Sequence, residues 1–200
     1  MLINASALDE ATLREVRDIY EDGFGARLRA PFADLLADEA LVLMDSHPQG
    51  LAVLRPLGPT GWVFLRYFVA ASRGNGAGTR LWHAITAHLA ARYSRIVYDV
   101  EDPAEHDTAP AEVVIRERRI AFYERLGAQL LPVRDYLPPH GDDTHPMLLM
   151  AANLGAATDP AGMDPIDVPD LVRGVYLHRY GLPAHDPVVQ RTLSALPTRT

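Results

Sequence analysis

The chain has 200 residues, 48% of them hydrophobic and none of them cysteine, and its formal net charge is −7. This length suffices for one domain with a sizeable core, or for one domain and an appendage. The absence of cysteine excludes disulfides, thiolate catalysis and zinc–thiolate sites. The negative charge argues against a nucleic-acid partner, whose phosphates it would repel, and is compatible with a cationic substrate such as an amine.

The sequence gives no sign of a membrane partner. The N-terminal segment MLINASALDEATLREV lacks the basic start and the apolar core of a signal peptide. The longest apolar run, around PMLLMAA, is far too short to span a bilayer. We therefore expect a soluble cytoplasmic protein.

The first 70 residues predict two helices and four strands. Apolar residues at helical spacing indicate the helices, and Asp9 or Ser6 could cap the first one. Short turns separate the last three strands, which favours an antiparallel meander. In chain order the predicted elements are a strand at 1–4, helices at 9–24 and 30–40, and strands at 40–45, 50–57 and 61–70.

The next 85 residues predict alternating helices and strands. Leu81, Ile85 and Leu89 form one stripe of a helix that follows a glycine-rich stretch, and Gly127 is a good C-terminal stop for a later helix. The fold class is therefore α+β, or mixed α/β, for a domain of residues 1–155. The elements are a helix to about residue 93, a strand at 95–101, a helix at 113–127, and strands at 128–136 and 145–153.

Residues 156–200 predict a linker and a helical C-terminal extension. A Gly/Ala/Pro-rich stretch at 155–165 has the composition of a linker, and amphipathic helices are predicted at 167–181 and 186–196. The apolar face of this tail must be buried, either on its own domain or on a second copy of the chain. A homodimer through the extension is thus one expectation.

The stretch FVAASRGNGAGTRLW, residues 68–82, places three glycines in five positions between a strand and a helix. Glycines allow a ligand to approach the unpaired amides of a helix N-terminus, where phosphate is the natural guest. The pattern fits neither the dinucleotide fingerprint nor the nucleotide P-loop. A tight turn without a ligand is the alternative.

Two motifs carry a resemblance to a known family. The run from Arg73 to Gly78 resembles the coenzyme A pyrophosphate loop of the GNAT acyltransferase superfamily, and IAFYERLGA, residues 120–128, resembles a later helix of that family. VYDV, residues 97–100, resembles the family's fifth strand. The resemblance covers residues 1 to about 152. It implies a mostly antiparallel sheet of six to seven strands, splayed between strands four and five and flanked by helices.

The resemblance also implies how acetyl-CoA, as co-substrate, would be held. The fourth strand would bind pantetheine through its backbone, and the amides of the glycine loop would bind the pyrophosphate. Arg119 stands where the family has a small residue, and it could contact a CoA phosphate or signal a different mode of binding. The predicted cofactor-binding residues are Phe68, Val69, Ala70, Arg73, Gly74, Asn75, Gly76, Ala77, Gly78, Thr79 and Arg119.

Three residues are predicted to be catalytic. Tyr123 matches the family's tyrosine acid, and nearby arginines are expected to favour its phenolate. The glutamate that many relatives use in the fourth strand is missing, so the candidate bases are Asp99 and Glu101. These two residues are two positions apart on one strand, so their side chains point to the same face. There, one or both could accept a proton or hold a cationic substrate.

The sequence therefore predicts an acetyl-CoA-dependent N-acetyltransferase that acts on a small cationic amine. The alternative is a noncatalytic CoA-binding or sensing module of the same fold, which the missing glutamate and Arg119 motivate. No metal is expected, although His140 and His145 flank a Gly-Asp-Asp-Thr loop and leave a weak alternative there.

Overall fold

The computed structural model describes residues 1–25, 28–140, 143–155 and 167–197. The predicted linker at 155–165 lies almost wholly outside the described residues. The helices are α1 Glu10–Gly23, α2 Phe32–Leu35, α3 Ala77–Leu89, α4 Pro110–Glu124, α5 Val168–Tyr180 and α6 Pro187–Ser194. The strands are β1 Leu2–Asn4, β2 Glu39–Met44, β3 Pro48–Pro56, β4 Trp62–Ala70, β5 Arg95–Glu101, β6 Gln129–Leu130, β7 Pro139–His140, β8 Asp143–Thr144 and β9 Met147–Asn153.

The chain divides into two compact units, and β4 contributes to both. The first unit comprises residues 1–55 and 65–93, and the second comprises residues 56–64 and 94–200. The strands hydrogen-bond in the order β1-β2-β3-β4-β5-β9-β6, and β7 pairs with β8 as a separate hairpin. This arrangement confirms the predicted α+β class and the seven-stranded, mostly antiparallel sheet.

The first unit is built on the predicted meander. β1 pairs antiparallel with β2, and β2 pairs antiparallel with β3. Asp9 caps α1 by accepting a hydrogen bond from the amide of Thr12 at 2.8 Å, as one of the two predicted caps. Val16 and Tyr20 of α1 are buried against the sheet, in a core that also takes Tyr67 from β4.

The second unit begins where β4 pairs parallel with β5. This pairing joins Trp62–Phe64 to Arg95–Val97, although β4 continues to Ala70 and β5 continues to Glu101. β5 then pairs antiparallel with β9 along its whole length. Residues 65–70 of β4 therefore lie outside the parallel register with β5. That the two strands splay apart at these residues stays a prediction.

The two C-terminal helices belong to the core of the second unit. Leu171 and Val175 of α5 and Val189 of α6 are fully buried in the same hydrophobic cluster as Val97 of β5 and Leu149 of β9. The predicted boundary at residue 155 falls within this unit. Of the two alternatives for the tail's apolar face, burial within the chain is the one observed, so this face no longer motivates a homodimer.

Several predicted elements differ in length from those observed. α2 has four residues where eleven were predicted, because residues 39 and 40 already pair in β2. β6 has two residues where nine were predicted, and the β7–β8 hairpin was missed. Within the described ranges, no helix is long and apolar enough to cross a membrane.

Candidate functional site

The glycine-rich stretch of the first unit forms an exposed loop that leads into α3. Residues 71–76 are exposed, and α3 begins at Ala77. Gly74 and Gly76 have φ values of 81° and 77°, in the left-handed region that other residues seldom adopt. A turn alone therefore explains these two glycines. The loop of residues 71–76 is open to a ligand, whereas Ala77 is buried and Gly78 and Thr79 are half-buried.

The side chain of Asn75 organises this loop. Its Oδ1 accepts a hydrogen bond from the amide of Ala77 at 3.0 Å, and its Nδ2 donates to the hydroxyl of Ser72 at 2.5 Å. Arg80 donates to the Asn75 carbonyl at 2.9 Å. One of the predicted main-chain donors is thus already engaged by the protein. The amides of residues 78 and 79 stand in the first turn of α3, where a helix offers them no acceptor.

The predicted pantetheine segment of β4 lies against β3 and α1. A β-carbon at Gly50 would lie 2.6 Å from the carbonyl oxygen of Val69, so β3 approaches this segment more closely than another residue would allow. A β-carbon at Gly23 would collide with the Val69 side chain. The ring of Phe68 packs edge-on against Trp82 of α3, with centroids 6.1 Å apart. These contacts pack the side chains of Val69 and Phe68 against α1 and α3, and the backbone roles of this segment stay predictions.

In the second unit, Asp99 of β5 is held by two tyrosines. Its Oδ2 accepts hydrogen bonds from the hydroxyl of Tyr180 at 2.7 Å and from that of Tyr136 at 3.3 Å. The Asp99 side chain is half-buried. In the ranges that the structure describes, its Oδ1 has no hydrogen-bond partner. Asp99 therefore keeps one oxygen available for a proton or a cation.

Glu101, two residues along the same strand, has a different environment. It forms ion pairs with Arg119 and, at 3.7 Å, with Arg116, both from α4. Accepting a proton would discharge Glu101 and cost it these pairs. The two predicted bases therefore have different surroundings, with neutral hydroxyl donors at Asp99 and guanidinium groups at Glu101.

Arg116 of α4 makes hydrogen bonds to the loop of residues 102–109, which connects β5 to α4. Its guanidinium donates to the carbonyl of Asp102 at 2.7 Å and to the carboxylate of Glu105 at 2.6 Å. His145 lies 3.0 Å from the other oxygen of Glu105. Burial opposes the effect, but the hydrogen bonds from Arg116 and His145 hold the pKa of Glu105 below its usual value. These contacts tie the loop of residues 102–109 to α4 and to His145.

Tyr123 of α4 is buried, with 6% of its surface exposed, and its ring lies 4.5 Å from that of Tyr98 between centroids. Burial raises the pKa of the Tyr123 hydroxyl well above its usual value, and the positive charge of Arg119 lowers it only in part. Burial therefore outweighs the charge of Arg119, although that charge does favour the phenolate as expected. Arg116, one of those arginines, is engaged by acidic side chains instead.

Sequence reasoning missed Tyr136 and Tyr180 as partners of Asp99. Neither residue belongs to a motif, and Tyr180 lies in the predicted extension. The tyrosine-rich spacing of α5, with Tyr176 and Tyr180 four residues apart, was the only local signal that this helix presents hydroxyl groups on one face.

The described residues include no group of three or more His, Asp or Glu side chains that could hold a metal ion. The weak alternative at His140 and His145 involves the side chain of His140 and residues 141–142, which lie outside the described part of the chain.

No protein-family model and no curated protein matches the chain. Solved structures do match the chain. An acetyltransferase assigned to the GNAT family from Bacteroides thetaiotaomicron is 22% identical, with a TM-score of 0.67, over 91% of this chain and 99% of its own. This chain has the GNAT fold. The predicted resemblance is thereby confirmed at the level of the fold.

Two further GNAT-fold structures match nearly their whole length. An aminoglycoside 6'-N-acetyltransferase complexed with coenzyme A is 20% identical, with a TM-score of 0.57, over 78% of this chain and 98% of its own. The ribosomal-protein-S18-alanine N-acetyltransferase from Escherichia coli is 14% identical, with a TM-score of 0.54, over 82% of this chain and 99% of its own.

Proposed function

We propose that this chain is an acetyl-CoA-dependent N-acetyltransferase that acts on a small cationic amine. The single observation that carries the proposal is the exposed loop of residues 71–76, which has a GNAT-like sequence and leads into α3 on a GNAT fold. The aminoglycoside acetyltransferase of the same fold was crystallised with coenzyme A. Acetyl-CoA would supply the activated acetyl group.

The residues of the loop fit a diphosphate. Small, exposed residues surround the first turn of α3, whose amides carry the positive end of the helix dipole. Arg73 is exposed beside the loop and adds a positive charge. Asn75 would have to release the amide of Ala77 if that group also donates to a phosphate oxygen. The amides of residues 78 and 79 need no such rearrangement.

Asp99 is the proposed base. A protonated amine cannot attack a thioester, so a group must take its proton. Two neutral hydroxyls bind one oxygen of Asp99, and protonation of its other oxygen would leave both hydrogen bonds in place. Glu101, paired with two guanidinium groups, serves better to keep α4 in position.

Tyr123 is the proposed acid. A phenol is protonated at neutral pH, so Tyr123 has a proton to give to a leaving thiolate. Burial raises the pKa of its hydroxyl and makes it a weaker acid, and the positive charge of Arg119 acts in the opposite direction. Apolar residues of α4 support a ligand on this helix, since Val113, Ile120 and Phe122 are only half-buried and Tyr123 alone is fully buried. Arg119 lies on the same helix and remains a predicted contact of a CoA phosphate.

The acceptor is proposed from charge. The net charge of −7 and the half-buried carboxylate of Asp99 favour a cation over an anion. The matched structures act on acceptors as different as an aminoglycoside and a ribosomal protein, so the fold does not determine the acceptor.

Calorimetry with acetyl-CoA, followed by thiol release with a panel of amines, tests the proposal. We expect saturable binding of acetyl-CoA and release of thiol with at least one cationic amine, and little with carboxylate-bearing analogues. No binding at millimolar acetyl-CoA would contradict the proposal. Binding without turnover across amines and peptides would favour the noncatalytic module.

A further inference from the structure

We infer that Tyr180, contributed by the C-terminal helix α5, is a positioning residue for Asp99. The inference rests on the proposed role of Asp99 as base and extends the reacting site to a part of the chain that the loop and α4 motifs do not reach. Tyr180 touches the carboxylate and acts through it.

The contact is short and its donor is fixed. The Tyr180 hydroxyl lies 2.7 Å from Oδ2 of Asp99, and the Tyr136 hydroxyl shares the same oxygen at 3.3 Å. Burial and the negative charge of Asp99 raise the pKa of both tyrosines well above the usual value. Each therefore keeps its proton at any ordinary working pH and remains a donor.

Both tyrosine hydroxyls donate to Oδ2 of Asp99, and neither donates to Oδ1. A carboxylate with free rotation about its terminal bond would present either oxygen, whereas two hydroxyls on Oδ2 define which oxygen meets the proton. Both donors are neutral, so no ion pair is broken when Oδ1 is protonated. Glu101 differs, because protonation there would break its ion pairs with Arg119 and Arg116.

The position of Tyr180 is set by the core of the second unit. Its ring packs near those of Phe64 and Tyr176, with centroids 6.4 and 6.3 Å away. Tyr180 is the last residue of α5, and Gly181, with a φ of 72°, caps the helix. Because Leu171 and Val175 anchor the same helix in the core, the hydroxyl reaches Asp99 from a rigid element.

The test uses Tyr180→Phe, Asp99→Asn and the double variant in the full-length chain, with Tyr176→Phe as the matched control. Tyr176 lies one turn earlier on α5, and its hydroxyl bonds to Thr192 and not to Asp99. Tyr180→Phe should lower kcat about 10- to 100-fold, the range for a hydrogen bond to a charged group, and leave KM for acetyl-CoA within about twofold. Tyr176→Phe should lower thermal stability and keep kcat.

Coupling between the two residues is the deciding measurement. If Tyr180 acts through Asp99, the double variant should lose no more activity than Asp99→Asn alone, and the free energies of unfolding of the four proteins should be non-additive. Additive unfolding energies would overturn the contact itself, without any assay of activity. A wild-type kcat in Tyr180→Phe, with coupling present, would overturn the positioning role.

The failure of the proposed function has a separate signature. It would appear as a wild-type chain that neither binds acetyl-CoA nor releases thiol, and the inference would fall with it. An active wild type with an equally active Tyr180→Phe variant would refute the inference alone.

Discussion

The hydroxyl of Tyr180 donates a hydrogen bond to Oδ2 of Asp99 over 2.7 Å, although 81 residues separate the two along the chain. One residue ends a C-terminal helix and the other lies near the end of β5. The contact joins a segment with the composition of an appendage to a carboxylate predicted to be catalytic. The tail is thus part of the surroundings of the proposed base.

The burial of α5 predicts a large difference between two leucines of the same helix. Leu171→Ala should lower the free energy of unfolding by about 2 to 5 kcal/mol, because it opens a cavity in the core of the second unit. Leu177, 48% exposed, should cost less than about 0.5 kcal/mol when changed to Ala. Urea denaturation of both variants measures this, and equal losses would mean that α5 is not packed as described.

The left-handed backbone at Gly74 predicts that a substitution there is tolerated according to how well the new residue adopts a positive φ, and not according to its size. Among the described residues, apart from its two chain neighbours, none has an atom within 4 Å of a β-carbon built there, so the φ of 81° is what opposes substitution. Gly74→Val should cost roughly 1 to 2 kcal/mol of loop conformation and weaken acetyl-CoA binding. Gly74→Asn should be milder, since asparagine tolerates this region. Calorimetry decides, and equal affinities would speak against a loop that must hold this conformation to bind.

The contacts of Arg116 predict that it stabilises the loop of residues 102–109. Arg116→Gln removes hydrogen bonds to Asp102 and Glu105 and should lower the free energy of unfolding by roughly 1 to 3 kcal/mol. The loop should also become sensitive to limited proteolysis. Arg118→Gln, at an exposed position of the same helix, is the matched control. A loop that resists proteolysis equally in both variants would contradict the assignment.

The Asp38 carboxylate predicts an acid-sensitive contribution to stability. Burial acts against ionisation, but hydrogen bonds from Arg55 and Arg66 hold the pKa of Asp38 below its usual value. A carboxyl with a lowered folded-state pKa stabilises the protein at neutral pH, and this stabilisation is lost as pH falls below its unfolded value of 3.8 and through the folded value. Asp38→Asn should therefore be clearly less stable than wild type at pH 7.

The difference between wild type and Asp38→Asn should narrow as the pH is lowered toward 3. Urea unfolding at several pH values measures this narrowing. Asp34→Asn, which changes an exposed carboxylate of α2, should show little difference from wild type at either pH. A constant gap between wild type and Asp38→Asn would show that protonation of Asp38 is not coupled to folding.

The protonated phenol of Tyr123 predicts a selective loss of turnover. Tyr123→Phe should lower kcat by about 10-fold or more and leave acetyl-CoA affinity nearly intact, because it removes a proton donor and little packing. Tyr98→Phe is the control, since its ring lies 4.5 Å from that of Tyr123 and is equally buried. Steady-state kinetics of both variants measures this. Equal and small losses of kcat in Tyr123→Phe and Tyr98→Phe would mean that Tyr123 has only a structural role.

The elements whose causes are local could be predicted from the sequence. The strand at 95–101 was predicted residue for residue, and Asp9, one of two predicted caps, begins α1. Gly127 has the left-handed φ of a stop signal, although α4 ends three residues earlier, at Glu124. Capping and hydrophobic period depend on neighbouring residues, which is why they could be predicted. The GNAT resemblance rested on local motifs as well, and the fold confirmed it.

Tertiary structure alone decided which carboxylate is paired and where the tail lies. Asp99 and Glu101 are equivalent in the sequence pattern, yet one receives two hydroxyls and the other two guanidinium groups. The pKa of Tyr123 is raised because burial, which no local pattern reveals, outweighs the effect of Arg119, which acts in the expected direction. Local sequence specifies backbone conformation, whereas desolvation and charge pairing depend on residues that only folding brings together.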